Sequence, residues 1–360
     1  MPRASDLGIT IGMLPSGPTG SVLDVGGVGL GHATVVRDEP APPEGRGVAR
    51  TGVTVLVAAD DAFDRMLPAG GAVLNGAGEC TGLLTAAEWG SLETPVFLTS
   101  TFQLGRVYDA ACELIVERDE RAADDVVIPV VAECDDSFLN DNRRMQVTRV
   151  DVENAWAAAL ASRGSSSPPG EGSVGSGTGM SCLGFKGGIG TASRITPEGH
   201  TVAVLLMTNY GTREQLVVDG VPVGRLLGPA QQPGVPKPAG SCIGVVVTDA
   251  AVDGASCSRL ARRTGLGLAR TGSVAQHGSG EIFLASSTGL RLDRDGRYDG
   301  PASVSGRALD PMFAAVVEAT EEAVLNSLLA SPTTVGRGGN TSEGLDSDAV
   351  VGLLREHGRL

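Results

Sequence analysis

Ser241 stands at the head of an apolar run, SCIGVVVTD, directly behind a glycine, and that junction can do chemistry on its own backbone. A hydroxyl there can attack the carbonyl of Gly240: the peptide shifts to an ester, water opens the ester, and the serine keeps a free α-amine. Glycine at 240 has no side chain to obstruct the attack. An α-amine titrates near about 7.7 to 8.0, which suits a general base at neutral pH, and it is tethered within reach of its own hydroxyl. Gly-Ser before a strand also describes an ordinary turn, so the junction needs companions.

Residues for other chemistries are few. Four histidines (His32, His200, His277, His357) argue against a multi-histidine metal centre and leave a Ser-His-Asp triad leaning on His277. The cysteines Cys80, Cys112, Cys134, Cys182, Cys242 and Cys257 are scattered, with no C-x-x-C and no histidine at ligand spacing, and read as small buried hydrophobes. Neither a metal nor a cofactor is expected. A formal charge of −14, with Arg143-Arg144 and Arg262-Arg263 set among acids, argues against a nucleic-acid partner. No apolar run is long enough for a signal-peptide core or a membrane span, so a cytoplasmic protein without a membrane partner is expected.

Elements must position the junction. Glycine, 52 of 360 residues, clusters in DVGGVGLGH, LNGAGECTG, GSVGSGTGMSCLGFKGGIG and GSGE, which implies backbone passing close to something. Strand character appears in GVTVLVAA from Gly52, TPVFLTS from Thr94, DVVIPVVAE from Asp125, TVAVLLMTN from Thr201 and CIGVVVTD from Cys242. Helical spacing places Leu104, Val107, Ala111, Leu114 and Ile115 on one face and Leu260, Thr264 and Leu268 on another. A third helix is expected with Asp310 as N-cap and Pro311 first, followed by Phe313, Val316, Val317, Val324 and Leu328. Strands and helices interleave, so layered sheets with helices outside are expected. Residues 163–173 read as an exposed loop, and residues 228–240, with Pro229, Pro233, Pro236 and Pro238, as a connector ending at Gly240.

Segments along nearly the whole chain then carry a family likeness: GLGHATV, RTGVTVLV, LNGAGECTG, VVAECDDSFLND, GSVGSGTGMSCLGFKGGIGTASR, MTNYG, GSCIGVVVTD, RLARRTGLGLARTGSVAQHGSGEIFLASS and EEAVLNSLLAS. On these the chain resembles the P1 family of self-cleaving aminopeptidases, which includes the L-aminopeptidase/D-esterases and the β-peptidyl aminopeptidases. The resemblance implies a four-layer αββα sandwich of the N-terminal-nucleophile-hydrolase kind, a single catalytic domain over residues 1–360 processed into 1–240 and 241–360. It implies a homo-oligomer of processed heterodimers, commonly a tetramer. Carried over position by position, the nucleophile falls on Ser241, the second serine on Ser279, the acid on Glu281, and the oxyanion-stabilising asparagine on Asn209. Where some relatives carry a tyrosine whose hydroxyl joins the oxyanion site, the match is Phe138, which cannot donate a hydrogen bond. Glu133 or Asp135 nearby would take the substrate's free amine.

The expected activity is release of N-terminal residues from short peptides, amides or esters, with β-amino acids and D-amino-acid esters among the candidates. Three rivals are weaker. GGVGLG near Gly26 and GMSCLGFKGG near Gly179 do not make a phosphate loop, because no convincing strand precedes the first and phenylalanine precedes Lys186 in the second. Ornithine acetyltransferases also self-cleave, but expose a threonine. A non-catalytic scaffold relative would not need Ser241, Ser279, Glu281 and Asn209 together.

Overall fold

The computed structural model describes residues 2–229 and 240–360, so most of the proline-rich connector, residues 230–239, lies outside the described residues. In chain order the strands are β1 (Gly29–Asp38), β2 (Val48–Val57), β3 (Leu67–Gly76), β4 (Ser91–Leu92), β5 (Val96–Ser100), β6 (Val130–Cys134), β7 (Ser181–Cys182), β8 (Phe185–Lys186), β9 (Gly188–Ile195), β10 (Thr201–Asn209), β11 (Ser241–Thr248) and β12 (Gly280–Ser287). The helices are α1 (Leu83–Trp89), α2 (Leu104–Arg118), α3 (Arg149–Ala161), α4 (Val223–Leu226), α5 (Gly254–Arg270), α6 (Asp310–Leu329) and α7 (Ser347–Glu356).

Of the two large sheets, which stand beside three two-stranded ones, one has the order β1-β2-β5-β6 and the other β4-β3-β12-β11-β10-β9. Alternation along β11 shows how they stack: Ile243, Val245 and Val247 join Leu56, Leu98 and Ala132 of the first sheet in a core between the sheets. Cys242 and Val246 point the other way, into a core shared with Leu260 of α5 and Val316 of α6. On the far side of the first sheet, Val53, Val55 and Phe97 pack against Val107 of α2 and Trp156 of α3. The result is the αββα sandwich.

The glycine clusters build this stacking. A Cβ on Gly31 would sit 2.1 Å from the Ala159 nitrogen of α3, and one on Gly190 would sit 1.9 Å from the Ala323 oxygen of α6. Glycine lets each helix lie against the backbone of its sheet.

Several sequence expectations change. DVVIPVVAE becomes strand only from Val130, after Pro129, whose missing N–H and fixed φ end the pairing. Asp310 is not the N-cap: it has helical backbone, because a 3₁₀ turn over Gly306–Leu309 runs straight into α6. Helices α1, α3 and α7 and strands β1, β3, β9 and β12 were not among the elements read from the sequence.

Arg194 of β9 reaches Glu322 at 2.6 Å and Glu318 at 3.4 Å on α6, all buried, and Glu318 accepts the backbone N–H groups of Met13 and Leu14 at 3.0 Å. β11 is laddered to β10 on one side and β12 on the other. A cut before Ser241 therefore leaves two fragments joined through a shared sheet and a desolvated ion cluster.

Candidate active site

The site forms where three strand ends meet in register. Asn209, the last residue of β10, pairs with Ser241, the first of β11, and Ser241 pairs in parallel with Gly280 of β12. The Gly280 N–H donates to the carbonyl oxygen of Gly240 at 3.2 Å. That carbonyl belongs to the bond ahead of Ser241. A Cβ on residue 240 would lie 2.5 Å from the Asn209 carbonyl oxygen, so close packing also requires glycine there.

Ser241 is 4% exposed, and its hydroxyl has no hydrogen-bond partner among the described residues. Alternation places it on the inter-sheet face with Ile243, where the Cys134 thiol at the end of β6 lies beside it. Burial pushes that thiol well above its ordinary range, so it is not a competing thiolate.

Ser279 donates its hydroxyl hydrogen bond to Glu281 Oε1, while Glu281 Oε2 is buried without a partner among the described residues. Burial raises the Glu281 pKa, with the Ser279 hydrogen bond acting in the opposite direction. In register, Glu281 pairs with Cys242, so it shares the helix-facing side of the strands with Cys242.

Asn209 bridges two walls of the site. Its Oδ1 accepts from the Ser181 N–H at 2.9 Å, and its Nδ2 donates to the Asp135 carbonyl at 2.8 Å. One Nδ2 hydrogen is thus in use and a second remains available.

Glu133 is buried, accepting from the Glu79 N–H at 2.9 Å and from the Thr101 hydroxyl; burial raises its pKa against those two hydrogen bonds. Asp135 is half-buried, and both its carboxylate oxygens accept from Ser137, at 3.1 Å from the N–H and 2.7 Å from the hydroxyl. Phe138 is half-buried in the turn after β6, and its carbonyl accepts from Asn340 Nδ2 at 2.7 Å. His277 is exposed in the loop before Ser279. Lys186 is buried, donating to the Gly177 and Gly187 carbonyls at 3.0 and 2.7 Å, so the glycine-rich stretch around it is a packed hairpin region.

Sequence reasoning left the backbone N–H of Gly280 and the side chain of Asn75 unassigned. The first was visible only as a glycine in GSGE. Among the described residues, no three His, Cys, Asp or Glu side chains are grouped as a metal site would require.

A buried serine opening a central strand, in an αββα sandwich with a backbone donor on the preceding carbonyl, defines a serine hydrolase of the N-terminal-nucleophile fold. Comparison with known proteins agrees: residues 20–342 match the model of peptidase family S58. The chain belongs to that family and is a serine aminopeptidase. It is 36% identical to the β-peptidyl aminopeptidase BapA of Sphingosinicella xenopeptidilytica, over 98% of this chain and 91% of that one. Among solved structures it matches a Burkholderia sp. β-aminopeptidase with a TM-score of 0.87 and 39% identity, covering 99% of each chain. It also matches the L-aminopeptidase D-Ala-esterase/amidase of Ochrobactrum anthropi, described as a variant of the Ntn hydrolase fold, with a TM-score of 0.88 and 34% identity over 100% of both chains.

Proposed function

We propose that the chain cuts itself between Gly240 and Ser241, giving fragments 1–240 and 241–360, and that Ser241 then removes the first residue from short peptides, amides and esters. The observation that carries this reading is the Gly280 N–H at 3.2 Å from the Gly240 oxygen, beside a buried Ser241 hydroxyl without a partner among the described residues.

In the uncut chain, Ser241 Oγ adds to the Gly240 carbonyl carbon and negative charge grows on the oxygen that Gly280 already faces. The Gly240–Ser241 C–N bond then breaks. The nitrogen must gain the proton that the hydroxyl gives up: Glu281, acting through Ser279, takes it from the attacking hydroxyl and returns it to the leaving nitrogen. Water adds to the resulting ester, releasing Gly240 as a carboxylic acid and restoring the hydroxyl. In the mature enzyme the same hydroxyl attacks the substrate carbonyl, with the α-amine of Ser241 as the base and Ser279–Glu281 holding that amine.

Asn209 supplies a second donor to the substrate oxyanion through the Nδ2 hydrogen that Asp135 does not use. Asn209→Ala is expected to lower kcat by roughly 10²- to 10³-fold, the usual cost of one oxyanion donor. Steady-state kinetics check this, and a change confined to KM reduces Asn209 to a binding group.

β-Peptidyl and β-amino-acid activity stands in the names of the relatives, and we place N-terminal β-residues alongside α-residues in the substrate range. With phenylalanine at 138 there is no side-chain hydroxyl at that position to join the oxyanion site. The substrate amine faces Asp135, the more accessible of the two acids, and Glu133 adds negative charge behind it. The expected profile is hydrolysis of free-amine β-alanyl and α-aminoacyl anilides, poor use of N-acetylated ones, and no response to chelators. A panel of such anilides, run with and without an added amine acceptor, tests it. Product formed only as transfer to the acceptor returns the acyltransferase reading, and loss with EDTA restored by zinc overturns the serine mechanism.

The processed heterodimer is placed in a homo-oligomer, a tetramer by family resemblance; exposed Val73, Leu74 and Leu266 support an apolar contact face. Light scattering reads the assembly. No helix among the described residues is long and apolar enough to cross a membrane, which is compatible with the cytoplasmic location expected from the sequence.

A further inference from the structure

Ser279 and Gly280 are only as well placed as the loop that delivers them, and that loop is strained. Ala275 has φ +47°, a left-handed conformation that non-glycine residues rarely adopt. Within the loop, the Ala275 N–H donates to Ser273 Oγ at 3.3 Å and the Ser279 N–H to the Gln276 carbonyl at 2.8 Å.

The neighbouring strand supplies the fixing. Asn75, near the end of β3, pairs with Glu281, immediately before a register shift between Glu281 and Ile282. Its Nδ2 donates to the Ser279 carbonyl, to the Gln276 carbonyl at 2.8 Å and, at 3.4 Å, to that of His277. One amide therefore gathers the carbonyls of the turn just upstream of Gly280. The Ser279 carbonyl belongs to the same peptide plane as the Gly280 N–H, so fixing one end aims the other. That N–H is the donor on the Gly240 oxygen.

We infer that Asn75 is a positioning residue for both reactions of this site: it fixes the plane of the Ser279–Gly280 peptide, and with it the donor to the carbonyl under attack and the orientation of Ser279. This rests on the self-cleavage reading. The loop's short hydroxyl and backbone contacts do not fix that plane, whereas a donor on β3 ties it to the central sheet.

The test is Asn75→Asp, which keeps the shape but replaces a donor with an acceptor facing carbonyls. Precursor conversion is followed by mass spectrometry, kcat and KM are measured on the matured fraction, and Tm is measured on the same preparation. Maturation and kcat are each expected to fall about 10- to 100-fold, the range for sub-ångström misplacement and lost supporting contacts, with KM unchanged and Tm within about 1 °C of the parent. Asn75→Ala, a truncation at the same half-buried position, gives the same reading if the aspartate variant does not accumulate. Parental maturation and kcat, or a loss that appears only in KM or follows the fall in Tm, overturns the inference. Ser279→Ala and Glu281→Gln run beside it separate the two levels: if they block maturation and Asn75→Asp does not, only the role of Asn75 fails. If they mature normally, the proton-handling pair fails, and a slowed Asn75→Asp then assigns Asn75 to the Gly280 donor alone.

Discussion

Purified protein is expected to run on a denaturing gel as two fragments, residues 1–240 and 241–360, the smaller beginning Ser-Cys-Ile-Gly, while Ser241→Ala runs as one uncut chain without measurable turnover. The substitution removes a single oxygen that makes no hydrogen bond among the described residues, so the fold has no reason to change. What it removes is the hydroxyl that, among the described residues, follows the Gly240 carbonyl directly. Cys242, next in sequence, lies on the opposite face of β11 in the helix-side core, and burial pushes its thiol well above the ordinary range. Cys134 is on the correct face, but burial raises its thiol in the same way. Neither presents a thiolate to the Gly240 carbonyl. Loss of a catalytic serine costs on the order of 10⁶-fold in kcat, and here it also blocks formation of the α-amine. N-terminal sequencing and intact mass decide the matter: a Ser241→Ala chain still cut at 240–241 sinks the mechanism.

The wild-type fragments should co-purify under native conditions. Arg194 precedes the cut and Glu318 and Glu322 follow it, and separating them would strand charges that are buried and paired. β11 would also have to leave its place between β10 and β12.

What the sequence reveals of this fold depends on how each element announces itself. TVAVLLMTN and CIGVVVTD are apolar on both faces because each strand is covered by the other sheet and by helices, so they read as strands and are strands. β3, inside the six-stranded sheet, and β9, at its edge, are strands as well, yet LPAGGAVLNG and GIGTASRI read as loops, since glycine stands where helices α5 and α6 press on them. The glycine clusters thus signalled close approach but hid the elements making it. α3 was missed for a different reason: an alanine-rich sequence has little polar contrast between its faces. The capping box of Thr148 and Asp151 was the available signal. At the site, Ser241, Ser279, Glu281 and Asn209 were legible by resemblance, and the structure brings them to one end of the central sheet. Which atom each addresses was not legible. Strand register sets Glu281 on the same face as Cys242 and the Ser241 side chain on the other, and no pattern along the chain encodes register directly.

That distinction shapes the second expected result, that Ser279→Ala and Glu281→Gln mature slowly or not at all and that any matured fraction turns over poorly, while His277→Ala matures and turns over like the parent. If the α-amine were the sole proton-handling group and the pair only packed, both variants would behave normally. The uncut chain has no free amine at residue 241, however, and its leaving nitrogen must still acquire a proton. Glu281 accepts from Ser279, the neighbour of Gly280, which pairs with Ser241, whereas His277 is exposed and meets the site through its backbone. The precursor also allows a pH test free of the amine's own titration. Burial raises the Glu281 pKa, so the carboxylate takes up its proton at a higher pH than an exposed glutamate would. If the ionised form is the working one, maturation of the parent chain slows as pH falls through that raised range and is fastest above it. Maturation of Glu281→Gln should be slow and should lack that acid limb. Precursor from cell-free synthesis, quenched over time at a series of pH values and read by mass spectrometry, measures both. Normal maturation of Glu281→Gln with the parent's pH profile would return the proton to water or to a backbone group, and the pair would then be left with holding the amine of the mature enzyme.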